Sequence, residues 1–153
     1  MKRALPSLLV AAQFLLLIAL VFSPRGELWA VGAPVIVAAA LLVVGGLAVA
    51  VLGIRGLGAA LTASPVPLKD AALVTTGIYR RVRHPIYTGL LIIGLGLVAF
   101  GSSFWHLAIW VALLVLLAAK ARWEERMLLA SHDGYRAYGA RTGRFVPGIG
   151  RLH

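Results

Sequence analysis

The chain contains no cysteine. Disulfides, thiolate metal sites and cysteine nucleophiles are therefore excluded. Acidic residues are scarce as well: five Asp and Glu stand against fifteen Lys and Arg in 153 residues, a formal net charge of +10. The histidines, at 84, 106, 132 and 153, lack the His-Glu-x-x-His spacing of a zinc hydrolase. There is no P-loop. Gly94-Leu95-Gly96-Leu97-Val98-Ala99 matches a dinucleotide-binding pattern, but it lies inside an apolar run with no preceding strand. Small residues packing one helix on another explain it better.

What the chain has in excess is apolar side chain. It is 61% hydrophobic with a mean hydropathy of +0.93, against roughly 45–50% apolar content in a soluble domain. That composition defines an all-α integral membrane bundle, and the length suits one domain, residues 1–153. Four segments are predicted to span, at about 5–22, 30–54, 85–100 and 104–119. The first is apolar except for Pro6, Ser7 and Gln13, and it is longer than the apolar core of a signal peptide, so it reads as a retained helix. Gly45-Gly46 in the second allows close helix approach. Pro85 suits a first helical position, where its missing N–H costs nothing. Gly101-Ser102-Ser103 predicts a tight turn. The third and fourth spans are short for a bilayer, and the pattern beyond Lys120 predicts a helix continuing to about Ser131, followed by a polar C-terminal helix or tail.

The basic residues predict orientation. Lys2 and Arg3 precede the first span, and Arg25 alone lies between the first and second. Arg55, Lys69, Arg80, Arg81 and Arg83 lie between the second and third, none between the third and fourth, and seven from Lys120 to Arg151 follow the last. Lys and Arg mark the cytoplasmic side, so both termini and the 55–84 loop are expected there, in a cell membrane. The same placement accounts for the net charge through anionic lipid, and nucleic-acid binding is not expected.

Two polar clusters then fall on one side. Arg80-Arg81-Val82-Arg83-His84-Pro85-Ile86-Tyr87 opens the third span, and Arg122-Trp123-Glu124-Glu125-Arg126 follows the fourth. They bracket one helical hairpin and are expected to meet. His84 falls at the edge of a helix N-terminus, a place suited to a carboxylate ligand, and Tyr79 and Tyr87 are placed to flank a heteroaromatic ring. The Glu pair suits ribose hydroxyls or an amine; the plainer reading is a solvated turn with Arg122 and Arg126 as charge partners. Tyr135-x-x-Tyr138-x-x-Arg141 reads by pattern as an amphipathic interfacial helix with an aromatic belt. Tyr135, Tyr138 and Arg144 also suit closure of the tail over a bound ligand.

Taken together, Leu73-Val74-Thr75-Thr76-Gly77-Ile78-Tyr79, Arg83-His84-Pro85-x-Tyr87-x-Gly89, Glu124-Glu125-x-x-Leu128, Tyr135-x-x-Tyr138 and Arg144-Phe145-x-Pro147 resemble the isoprenylcysteine carboxyl methyltransferase family and the related phospholipid N-methyltransferases. The likeness covers roughly residues 65–148. It implies a helical membrane methyltransferase that uses S-adenosylmethionine, releases S-adenosylhomocysteine, and acts on a small lipophilic acceptor. It further implies cofactor contacts from Leu73, Val74, Tyr79, His84, Pro85, Ile86, Tyr87, Glu124 and Glu125. Lys120, Arg122, Tyr138 and Arg144 are the candidate substrate contacts. Lys120 stands where the isoprenylcysteine enzymes carry a substrate-binding arginine, and lysine lacks the bidentate fork of arginine. Eukaryotic members also have more than four spans. Carboxyl O-methylation and amine N-methylation both stay open, as does a non-enzymatic membrane assembly subunit. In-line methyl transfer needs alignment and desolvation more than a base, so the lack of a triad is no obstacle.

Overall fold

The computed structural model describes residues 4–58 and 72–152. Lys2, Arg3, Lys69 and the 65–71 part of the stretch expected to bind the cofactor lie outside the described residues. Within them the architecture is helical: α1 (Ala4–Phe22), α2 (Ala33–Leu57), α3 (Pro85–Gly101), α4 (Phe104–Ser131) and the short α5 (Tyr135–Arg141), with a 3-10 turn at Gly77–Arg80 ahead of α3. α2 and α4 are long and apolar enough to cross a membrane, and Pro6–Phe22 and Pro85–Gly101 are shorter apolar helices.

The helix ends follow local chemistry. Gly32 is extended and Pro34 sits in the first turn of α2, so that helix starts three residues later than the apolar run suggests. At its other end the N–H of Gly58, at φ 50°, reaches back to Ile54 O. His84 is the N-cap of α3, with Pro85 at the first helical position. Between α3 and α4, Ser102 is left-handed and Ser103 caps α4 by accepting from Trp105 N at 3.2 Å. α4 runs on through Lys120 to Ser131, so the Glu pair stands on a continuous helix.

α2 and α3 touch backbone to backbone. A Cβ on Gly46 would stand 2.7 Å from Gly89 O, and one on Gly89 would stand 2.6 Å from Gly46 O. Further along the same seam, Gly96 lies against Ala39 O and Gly53 against Pro85 and Ile86. Apolar lipid offers side chains no hydrophobic gain over one another, so helices associate through such close packing. Gly45, expected to share this role, faces open space. α4 closes on the other side of α3: the Trp110 indole fits over Gly94 and donates to Leu91 O at 2.9 Å. α1 lies against α4 and brings Leu20 into a core with Leu91, Val98, Leu113 and Leu117. The outward faces of α1 and α2 are rows of exposed Leu, Val, Ile and Phe, among them Phe14, Ile18, Leu41 and Val44. Apolar surface on that scale calls for lipid or a partner.

At the end remote from the Glu pair, the 23–32 connection is laced to the α3–α4 turn. Gly26 N donates to Gly101 O and Leu28 N to Ser102 O, both at 2.9 Å. Ser102 Oγ accepts from Trp29 N and donates to Trp29 O, while the Trp29 indole donates to Ala99 O. The carbonyls of Ala99 and Gly101 at the end of α3 are thereby satisfied.

The α2–α3 seam generates a test. Gly89→Val should lower the thermal unfolding midpoint in detergent by the equivalent of about 1–3 kcal/mol, the range for overpacking. Gly45→Ala should cause no loss. Equal midpoints for Gly89→Val and wild type would show that the backbones do not meet as described.

Candidate functional site

Three chain segments converge at the polar end of the bundle: the 3-10 turn with the start of α3, the far end of α4, and the C-terminal tail. Residues 82–84 lie beside 143–145 in a short parallel pairing centred on the Val82–Gly143 bridge. Arg83 N donates to Gly143 O at 2.9 Å and His84 N to Arg144 O at 3.1 Å. Thr88 Oγ1 donates to Phe145 O at 2.8 Å. The tail thus crosses the mouth of α3, and the amide donor of its cap residue is spent on the tail. Glycine is required at 143, where a Cβ would collide with Val146 O.

Arg83 organises this junction. Its Nε donates to Glu125 Oε1 at 3.0 Å, one terminal nitrogen donates to Gly139 O and Thr142 O, and the other reaches Gly150 O at 2.7 Å and Glu125 Oε1 at 2.9 Å. Every nitrogen of the guanidinium is engaged. The side chain is buried, so its charge is compensated by the paired carboxylate and the carbonyl dipoles.

The two adjacent glutamates have different surroundings. Glu125 is 3% exposed at its side chain and accepts from Arg83, from His84 Nε2 at 3.2 Å and from Arg144, whose Nε and terminal nitrogen lie 2.8–3.2 Å from its oxygens. Glu124 is 13% exposed and accepts from the Tyr87 hydroxyl, with His84 Nδ1 at 3.4 Å. His84 therefore lies between two carboxylates, one at each ring nitrogen. A neutral imidazole carries one N–H, and this placement asks for two. Burial disfavours the imidazolium, but hydrogen bonds and charge from Glu124 and Glu125 outweigh it and raise the pKa above the ordinary 6.5. The His84 ring stacks on Tyr87 at 5.4 Å between centroids, and Phe145 meets both edge-on.

The remaining expected residues fall around this centre. Leu73 and Val74 are half-buried in the extended run before the 3-10 turn. Tyr79 donates to Gly53 O of α2 at 3.1 Å and Tyr138 donates to Tyr79 O at 2.6 Å. Tyr79 and Tyr87 thus anchor on different helices. Tyr135 and Tyr138 are buried rather than facing an interface as the pattern suggests, because α5 packs them onto the turn and each other. Burial pushes the Tyr138 phenol up to about 12, and the Tyr79 and Tyr135 phenols up as well, so all three stay protonated. Pro85 and Ile86 pack on Gly53. Lys120 is buried and held by Gln13, Arg144 grips Glu125, and Arg122 is exposed. The partners of the Glu pair are not Arg122 and Arg126: α4 points both carboxylates inward at α3 and the tail. Gln13 is the contributor that the sequence does not reveal, since it looks like a lone polar residue in a span, and Arg83, part of the expected cluster and motif, takes a role in holding Glu125 that the motif alone does not assign.

This is a helical bundle with an ionic centre sealed at one end, and the comparisons define its class. The family model for phospholipid methyltransferases matches residues 34–133. The chain belongs to that family, a family of membrane methyltransferases. No curated protein and no solved structure matches it. The matched span includes α2, α3, α4 and the Glu pair, and leaves out α1 and the tail with Arg144.

Two outcomes follow from the ionic centre. Arg83→Lys, which has three donors radiating from one point, should speed hydrogen exchange at the Arg144 and Leu152 amides by at least about tenfold, or about 1.4 kcal/mol. Unchanged exchange would mean Arg83 does not secure the tail. For His84 the folded pKa is raised, so its stabilising effect is complete below the free value and is lost as pH rises through the folded pKa. The melting-temperature advantage of wild type over His84→Gln should therefore shrink as pH is raised above neutrality. An advantage that grows with pH would reverse the assignment.

Proposed function

We propose that the chain is a multi-pass S-adenosylmethionine-dependent methyltransferase acting on a lipophilic acceptor, with α1–α4 as four spans and the Glu124 end in the cytoplasm. Family membership and the basic residues at that end support this reading. The observation that carries the site is the inequality of the glutamates. Glu125 has its oxygens filled by three cationic side chains, whereas Glu124 holds two partners and keeps acceptor capacity beside Tyr87. An open carboxylate on a half-buried aromatic face suits the hydroxyl and ammonium donors of the cofactor.

In this reading Glu124, with Tyr87 and His84, binds the polar part of the cofactor, and Leu73, Val74, Tyr79, Pro85 and Ile86 form its apolar surround. When bound, the cofactor supplies an electrophilic methyl group on a sulfonium. His84 fixes the orientation of Glu124 by its second ring nitrogen, and Glu125 with Arg83 and Arg144 holds the tail across the mouth, which keeps water away. No proton relay is needed when the acceptor is an anion or a neutral amine. A phospholipid amine is the acceptor chemistry that the family match favours, while isoprenylcysteine-type carboxyl methylation rests on the His84–Tyr87 and Glu124–Leu128 motifs. Both acceptors reach the site from the bilayer.

Calorimetric titration of detergent-purified protein with S-adenosylhomocysteine tests this reading. Glu124→Ala should weaken binding about 10- to 100-fold, the equivalent of losing hydrogen bonds to a charged group, about 1.5–3 kcal/mol. A folded wild type that binds no S-adenosylhomocysteine would favour a non-enzymatic assembly subunit.

A further inference from the structure

Lys120 and Glu124 are four residues apart on α4, a spacing that brings an ammonium and a carboxylate onto one helix face. Among the described residues no ion pair joins them. Lys120 Nζ instead donates to Gln13 Oε1 of α1 at 2.9 Å and stands 4.9 Å above the Tyr87 ring. Lys120 is 4% exposed and Gln13 8%. Apart from Ser7, Gln13 is the only polar side chain in α1. A buried ammonium must find acceptors. At contact distance a carboxylate attracts an ammonium more strongly than a neutral amide oxygen does, so Glu124 would take Lys120 if nothing competed. The competitors are the Gln13 amide oxygen, which arrives from a different helix, and the electron-rich face of Tyr87. The Tyr87 hydroxyl in turn donates to Glu124.

We propose that Gln13 is a positioning residue: it draws the Lys120 ammonium away from Glu124 and so keeps that carboxylate open to a hydroxyl or ammonium donor of a ligand. This rests on the reading of Glu124 as the cofactor contact. It gives α1, which lies outside the family match at residues 34–133, a part in the site beyond filling the bundle. Without Gln13, Lys120 turns to Glu124, and the resulting ion pair competes with the ligand.

The experiment uses the full chain in lipid nanodiscs, comparing wild type, Gln13→Leu and Gln13→Leu/Lys120→Met. S-adenosylhomocysteine affinity should fall about tenfold in Gln13→Leu and return to within about twofold of wild type in the double variant, the signature of coupling between the two positions. Equal affinity in wild type and Gln13→Leu overturns the proposal. So does a loss that the second substitution fails to recover, since a packing defect behaves that way. A ligand-independent arm uses a lipid-soluble carbodiimide, which joins Glu124 and Lys120 as an amide while taking up the lost water as a urea. Mass spectrometry should find that cross-link in Gln13→Leu and not in wild type, and its absence from Gln13→Leu overturns the diversion. The cross-link pattern as expected, with no S-adenosylhomocysteine binding by wild type, upholds the diversion and overturns the cofactor reading alone.

Discussion

The ion pair between Arg83 and Glu125 is the interaction on which the polar end of this protein depends. It joins the start of α3 to the far end of α4, and the unused donors of the same guanidinium tie down three tail carbonyls. Taking two charges out of water is costly, and mutual attraction alone seldom repays it. Here the cost is offset by engaging every nitrogen of Arg83 and by bringing His84 and Arg144 to the same carboxylate. Removing Glu125 would leave the buried Arg83 charge with carbonyl dipoles alone. The pair is therefore a latch that holds only when α3, α4 and the tail are all in place.

The two ends of the bundle solve the same problem by different chemistry. At the end remote from the glutamates, the carbonyls that α3 leaves behind are met by backbone and indole donors from the 23–32 connection, with little charge. At the glutamate end the connection is made by charged side chains. Between them α2 and α3 rely on glycine, so that backbone contact replaces side-chain burial. This arrangement gathers the ion pairs at the glutamate end.

Division of labour within the Glu pair follows from helix geometry. Successive residues on a helix point about 100° apart, so Glu125 can face Arg83 and Arg144 while Glu124 faces Tyr87 and the ring of His84. One carboxylate is consumed in holding the fold and the other keeps its acceptor capacity. His84, placed between them, makes the orientation of the open carboxylate depend on the closed one. A ligand site built this way inherits its rigidity from a structural ion pair.

Much of the architecture was legible in the chain because the bilayer imposes a simple rule: backbone polar groups must be satisfied within helices. Apolar runs, Pro85 and the Gly101–Ser103 turn therefore located α1, α3 and α4 closely, and the placing of Arg83-His84-Pro85 and Glu124-Glu125 at the ends of one hairpin implied that they meet. The start of α2 was misplaced because Gly32 and Pro34, not hydropathy, decide where it begins. Partnerships were beyond the sequence. Arg122 has the i, i+3 helical spacing for Glu125, but α4 turns the carboxylates inward, where Arg83 and Arg144 reach Glu125 from sites 42 and 19 residues away. Tyr135 and Tyr138 have interfacial spacing, but α5 folds back and buries them. Gln13 meets Lys120 across 107 residues. Sequence determined which segments are helical and which chemistry lies at their ends, since those are local properties of side chain and solvent. Only the tertiary structure decided which charges pair, because that depends on how each helix is rotated about its own axis.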